Sequence, residues 1–592
     1  MFKNHTFQIP VMGIGYTIDT PAKVAHLGID SVISLVDDIL IEKMREFYAI
    51  KFNLPFENIS SKFQNYRAER ITAYLNLMDK IVSDNFEKLK QSIKNTTSDL
   101  EKYITLLPDF DTLKTDLIKY VNESDLSKFR DRVINHMKAG RIDVNIMTKV
   151  DKENYSDGVK LGTEYNDAHA ALRGFAESNL NSAVVLSAGL NPSLYSYMEN
   201  FDDFYCTESG EIKKQIVLKV SDFKSALIQG KIFAKKGLWV SEYRIESGLN
   251  CGGHAFATDG LLMGPILEDF KTRKNELINS AFELLVPALV TKNKYVPTQA
   301  PELRITAQGG VGTSDEHGFL LDYYQLDKVG WGSPFLLVPE VTDIDSETRE
   351  LLINAKEDDL YLSNISPLGV PFNNIRGNSK DKLKDLQIAN GTPGAVCVKK
   401  YVQLNKEFSD RGLCTASNAY QKLKIAELNE MAISSSEYAE KHKQITDRAC
   451  ICVGLGTASL LVNNLNSKAE GPGVSVCPGP NIAYFSDVYS LKSMINHIYG
   501  RTDLIQDTKR PHMFLKELDL YINYLKNKIS DTANQKSEKS VKQLSQFKIN
   551  LLNGVDYYQS LYNQYKTRLI DIRSNFEKEL LLLKSKLEQV HI

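Results

Sequence analysis

The chain has 592 residues, 42% of them apolar and 25% charged, with a formal net charge of −2. That length and balance predict a globular protein of two or more domains, with no global pull toward nucleic acid or acidic lipid. No apolar run approaches bilayer length, and Met1-Phe2-Lys3-Asn4-His5 lacks an apolar export core, so a cytoplasmic location without membrane attachment is expected.

Short apolar runs bounded by Gly, Asp or Asn recur along the chain and predict strands at Ile9–Gly15, Ser31–Asp37, Asp143–Val150 and Ala183–Leu190. Four more follow at Gln215–Asp222, Leu238–Ile245, Ile305–Gly310 and Lys328–Gly332. Helical patterns such as Asp167–Asn179 and Asp222–Lys235 lie between them. Alternation of this length predicts an α/β fold, a TIM (β/α)8 barrel over residues 1–38 and 140–378. The rhythm breaks after strand 2. Ile71, Tyr74, Met78 and Val82, then Leu126, Phe129, Val133 and Met137, keep helix spacing, so residues 39–139 read as an inserted helical subdomain. Residues 379–505 read as a mixed α+β region that contains cysteines. Residues 506–592 end the chain as a long helical hairpin: from Val555 to Val590 an apolar position returns every three or four residues, a coiled-coil seam. Its partner is expected in the Met513–Ile529 helix and the insertion, with a homo-oligomer as the other way to cover it.

Two glycine loops carry the first functional signal. Gln308-Gly309-Gly310-Val311-Gly312 and Gly330-Trp331-Gly332-Ser333-Pro334 close strands seven and eight. Glycine lets backbone N–H groups approach an anion, and in (β/α)8 barrels these two loops are the usual cradle for a cofactor phosphate. The sixth strand leads into Cys251-Gly252-Gly253-His254, which sets a histidine where barrel enzymes place catalytic groups.

Taken in order, Ile9-Pro10-Val11-Met12-Gly13, Val144-Asn145, Val185–Pro192, Lys219, Gly252-Gly253-His254, Gln308–Val311 and Gly332–Phe335 resemble the nitronate monooxygenase (2-nitropropane dioxygenase) family. These are FMN-containing TIM barrels that include flavin-dependent enoyl-thioester reductases. Gly369–Asn378 is similar to the family's closing segment. The resemblance covers residues 5–38 and 140–378. It implies that Met12 and Gly13 run along the isoalloxazine, that Asn145 bonds to the ring, and that Lys219 sets positive charge near its pyrimidine end. It further implies that Gly309, Gly310, Gly332 and Ser333 hold the phosphate, that Gly252, Gly253 and Gln308 complete the cofactor set, and that His254 is the catalytic base. This chain departs from the family at Leu249-Asn250-Cys251, where Glu-Ala is common, and at Pro334, where an arginine is common.

Seven cysteines make no disulfide framework in so long a chain, and Cys397, Cys414, Cys450, Cys452 and Cys477 fall close together. Their spacing matches no standard metal pair, so burial as small apolar residues is preferred over an iron–sulfur or zinc site. Val453-Gly454-Leu455-Gly456 reads as structural, since it lacks the third glycine of a nucleotide loop. The expected activity is an FMN-dependent oxidation of a small carbanion-forming substrate with O2. The alternatives are reduction of an enoyl thioester with NAD(P)H and, in another class, a non-catalytic assembly protein.

Overall fold

The computed structural model describes residues 5–109, 114, 126–187, 189–253, 259–505, 509–532, 537–569 and 575–592. Eight short strands form one parallel sheet. They are β1 Phe7–Gln8, β2 Ser31–Ser34, β3 Ile142–Ile146, β4 Ser182–Leu186, β5 Lys214–Val220, β6 Val240–Glu246, β7 Arg304–Gln308 and β8 Lys328–Gly330. Each pairs with its neighbour in this order, and β8 returns to β1 through Val329 opposite Phe7. A parallel bridge between Ile9 and Ser31 joins β1 to β2, so the sheet closes into a barrel without edges. The run Ser182-Ala183-Val184-Val185-Leu186 is buried at all positions, the pattern of a parallel strand covered on both faces.

The first strand, Phe7–Gln8, lies before the expected Ile9–Gly15, of which Ile9 makes only a single bridge. Pro10 has no N–H to give a ladder, so pairing stops at Ile9 and the following residues turn over the end of the barrel. The second strand also stops early, because Asp37 turns to cap the helix Asp38–Lys51, its carboxylate accepting from Leu40 N. The barrel interior holds a buried ion cluster. Arg244 donates to Glu242 Oε1 at 2.7 and 2.9 Å, and Thr306 donates to the same oxygen at 2.7 Å. Burial alone would raise the Glu242 carboxyl; Arg244, Arg304 and Arg141 outweigh it and hold it at about 2.

The excursion after β2 serves two cores. The helix Tyr66–Asn95 buries Ile71, Tyr74, Leu75 and Met78 in the main barrel core. Its far end packs with Thr97–Leu106 and Leu126–His136 around Ile93, Leu100, Ile104, Phe129 and Val133, a separate small core. After β8, strands β9 Leu360–Ser363 and β10 Phe372–Ile375 form an antiparallel hairpin. The mixed strands expected beyond residue 379 are not formed. Among the described residues there, the β pairing consists of isolated bridges, Ala395 to Ser417 and Asn405 to Leu413. Helices dominate instead, including the buried Ile451–Val462. Among the described residues no single helix is long and apolar enough to cross a membrane.

Among the described residues the C-terminal arm is helical over Met513–Thr532, Glu538–Leu569 and Phe576–Glu588. The middle one departs from helical geometry at Tyr565 (φ −125°, ψ 34°), so the apolar seam does not run straight. Leu551, Val555, Tyr558 and Tyr562 are buried against the other two helices and against Met263–Thr272. The insertion turns elsewhere, to Leu491–Ile498 and Arg501, whose Nη1 donates to Thr105 O at 2.6 Å. Within the seam, the Tyr558 hydroxyl accepts from Gly264 N at 3.2 Å. Tyr558→Phe leaves that buried N–H unpaired and is expected to lower unfolding free energy by about 1–2 kcal/mol. Denaturant melts of parent and variant check this; coincident curves would show the bond contributes nothing.

Candidate functional site

Strands β2 to β6 deliver their last residues to one end of the barrel, the end where (β/α)8 enzymes carry their chemistry. There Ser34, Asn145, Ser187, Lys219 and Glu246 line a cavity of about 260 Å³. Val11, Gly13 and Ile14 from the first turn form one side. Leu368, Val370, Phe372 and Val402 form an apolar roof, and Ile451, Cys452 and Leu455 bring the buried helix to the wall. Glycine is needed at two of these positions. At Gly13 φ is +97°, and a Cβ would stand 3.3 Å from Tyr16 and 3.5 Å from Leu455; at Gly252 φ is +122°, and a Cβ would stand 2.9 Å from Val11 O.

The polar groups converge on Glu246. Its Oε1 receives the Lys219 ammonium at 2.9 Å and the side-chain amides of Asn250 and Gln308, each at 2.7 Å. Two buried acceptors have no hydrogen-bond partner, Asn145 Oδ1 and Gln308 Oε1. Asn145 lies on the cavity wall, so its carbonyl is a site for a ligand N–H. The wall carries two cations, Lys149 and Lys219, and one carboxylate, Glu246.

Of the residues expected to bind a cofactor, Gly13, Asn145, Lys219 and Gly252 line this cavity. Met12 is fully buried between two lining residues. Gly253 is covered by Phe372 and its carbonyl accepts from Asn373 N at 2.8 Å. Gln308 reaches the site through Glu246. His254 lies outside the described residues.

The expected phosphate cradle, Gly309, Gly310, Gly332 and Ser333, is not among the residues that line the cavity, and later residues of the chain bond to these loops. Ser333 Oγ accepts from Gly479 N at 2.8 Å, and the Asn481 amide donates to the carbonyls of Gly310 and Val311 at 2.7 and 2.6 Å. Gly309 and Gly310 pack under Ser247, Leu249 and Asn250, and Gly332 under Cys251. Arg510 Nη2 also donates to Gly310 O at 2.9 Å. Sequence reasoning gave Glu246 and Asn250 no role. The signal available for Glu246 was its place as the last residue of a barrel strand.

The cysteines divide. Cys477 sits beside Cys251, whose thiol lies 3.7 Å from Cys477 O, and burial pushes the Cys251 thiol up to about 11. Cys397, Cys414, Cys450 and Cys452 gather elsewhere. Among the described residues no group of three or more His, Cys, Asp and Glu could hold a metal ion, so the iron–sulfur and zinc alternatives are not supported.

No family model matches the chain, and no curated protein does. Among solved structures it is similar to FabK from Thermotoga maritima, at 12% identity over 88% of this chain and 96% of that one, with a TM-score of 0.35. The enoyl reductase domain of MlnA from the macrolactin biosynthesis cluster of Bacillus amyloliquefaciens matches at 13% identity, over 74% and 88%, with a TM-score of 0.31. Nitroalkane oxidase from Streptomyces ansochromogenes matches at 8% identity, over 84% and 94%, with a TM-score of 0.33. Likeness at this level does not bear on activity, which has to be argued from the cavity.

The residues that line the cavity fit the ring end of a flavin. A flat heteroaromatic ring with N–H and C=O groups on its edge suits the unpaired Asn145 carbonyl, the Lys219 ammonium and the close backbone at Gly13 and Gly252. At the two glycine loops Gly479 and Asn481 bond to Ser333 Oγ and to the Gly310 carbonyl.

Proposed function

We propose that the chain is a flavin-dependent oxidoreductase, with the isoalloxazine ring in the barrel cavity and FMN the expected form. The observation that carries this reading is the buried, unpaired Asn145 carbonyl beside the Lys219–Glu246 pair, at the C-terminal end of a closed (β/α)8 barrel. When bound, a flavin supplies reversible two-electron acceptance. Asn145 accepts from a ring N–H and sets its orientation. Lys219 offers positive charge, and Glu246 fixes where that charge stands. Asn250 and Gln308 donate to the same Glu246 oxygen. His254 is proposed as the proton acceptor toward substrate, a role its place after Gly252-Gly253 motivates.

The roof of Leu368, Val370, Phe372 and Val402 favours a substrate with a carbon chain. That observation moves an activated alkene, reduced at the expense of NAD(P)H, ahead of a small nitronate oxidised with O2. The absorption spectrum of the purified protein tests the cofactor. A flavin band is expected, and Asn145→Ala should weaken flavin affinity about tenfold through one lost hydrogen bond. A colourless protein that takes up neither FMN nor riboflavin would sink the reading. Anaerobic reduction by NADPH, against reduction by a nitronate, separates the two substrates. His254→Asn should keep the flavin band and slow substrate-dependent turnover by about 10²–10⁴.

A further inference from the structure

Four of the seven cysteines lie together as two thiol pairs, and one of them, Cys452, also borders the barrel cavity. Cys450 and Cys452 sit at the start of the helix Ile451–Val462 with their sulfurs 3.7 Å apart. Cys397 and Cys414 share a thiol hydrogen bond, and both lie within electrostatic reach of Cys450. The segments that bring them together are tied by backbone. Ala395 N donates to Ala416 O at 3.0 Å, and the Gln421 amide spans Thr415 O and Arg448 O at 3.3 and 3.1 Å. Cysteines used only as small apolar filler have no reason to meet from three separate segments.

This cluster adjoins a second cavity, of about 300 Å³. Lys380, Lys384, Arg448 and Lys468 line it, and so does Cys450. Glu470 is the one carboxylate on its wall, and its Oε1 already has Lys43 at 2.7 Å and Lys399 at 3.7 Å. The cavity therefore presents net positive charge around a thiol. The two sulfurs of the Cys450–Cys452 pair are unlike. The Cys452 thiol, Lys380, the Val453 N–H and Lys399 hold Cys450 below the ordinary thiol range against the opposing effect of burial. Its hydrogen bond to Cys450 and its burial push Cys452 up. One sulfur ready to attack and a protonated one beside it is the asymmetry that thiol–disulfide exchange needs.

We propose that Cys450 and Cys452 form a redox-active dithiol and that the basic cavity binds a small anionic disulfide, its substrate. Cys450 thiolate attacks one sulfur of the disulfide, the S–S bond breaks, and the first thiolate leaves and takes a proton from solvent. Cys452 then loses its proton and attacks the Cys450 sulfur of the mixed disulfide, releasing the second thiolate. In sum the protein dithiol gives up two electrons and two protons and becomes a disulfide, and the substrate becomes two thiols. The sulfurs have less than 2 Å to close to reach a disulfide bond of about 2.05 Å. None of these steps uses the flavin: Cys452 borders the barrel cavity, but the attacking Cys450 faces the basic one.

The test uses the full-length protein, reduced and desalted without oxygen. It is exposed to dithiodipropionate, which is dianionic, and to hydroxyethyl disulfide, its neutral counterpart. The expected result is faster reaction with the dianion, loss of two protein thiols, and a peptide map linking Cys450 to Cys452. Cys452→Ser should stall with one propionate thiol attached to Cys450, and Cys450→Ser should form no linked product. Lys384→Gln combined with Lys468→Gln should reduce the preference for the dianion. Absence of the Cys450 adduct in folded Cys452→Ser overturns the proposal, as does equal reactivity of the two probes with the parent. If Cys452→Ser does not fold, the peptide map of the parent decides alone, and a parent with all thiols intact overturns it.

Discussion

Arg510→Ala is expected to destabilise the protein by about 3–5 kcal/mol, the cost of leaving one partner of a buried ion pair alone. Arg510 and Glu316 are each 1% exposed, and the guanidinium reaches both carboxylate oxygens at 2.8 Å. Arg510 also donates to Gly310 O at 2.9 Å and to Asn481 Oδ1 at 3.1 Å, so it ties the glycine loop after β7 to the segment that covers it. Glu316 in turn accepts from Gly312 N at 2.8 Å and Met513 N at 2.7 Å. Without Arg510 the carboxylate keeps only neutral donors. Arg510→Met joined to Glu316→Gln removes both charges while keeping an acceptor for the backbone, and should melt above the single variant. Chemical denaturation of the three proteins measures this. A single variant as stable as the parent would show the pair to be without net effect.

Glu517 should make stability fall as pH rises. It is 2% exposed, accepts from Ser247 Oγ at 2.7 Å and from Met263 N at 2.8 Å, and burial lifts its carboxyl from 4.5 to about 7. The folded state thus holds a proton that the unfolded chain gives up. The contribution is fully present below about 4.5 and is lost as pH rises through about 7. The 2.5-unit difference (7 minus 4.5) sets its size at roughly 3 kcal/mol. Glu517→Gln stays neutral, so the variant should gain on the parent between pH 5 and pH 8. Paired melts across that range check it, and a constant gap would show that Glu517 does not titrate there. The location gives the effect meaning: Glu517 pins both ends of the segment that carries Asn250 and Gly252 to the cavity.

Seven of the eight strands were legible because each parallel strand is a short apolar run ended by a turn residue, a local pattern. Gly13, Asn145, Lys219 and Gly252 were marked by the family resemblance, and they share a cavity because the barrel sends its strand ends to the same face. That the seam is not straight was not legible, because the break at Tyr565 has no Pro or Gly to announce it. The bonds that later residues make to the glycine loops were not legible either. Arg510 meets Glu316 across 194 residues, and Gly479 meets Ser333 across 146.

The sequence by itself determined the alternating strands of the barrel and the end on which such barrels carry their sites, since these follow from period and turn chemistry near each residue. Tertiary structure alone decided that Gly479, Asn481 and Arg510 bond to the glycine loops, that Glu246 gathers Lys219, Asn250 and Gln308, and that four thiols meet beside a basic cavity. Each of those outcomes depends on which distant side chain reaches a buried polar group first, and local pattern carries no record of that competition.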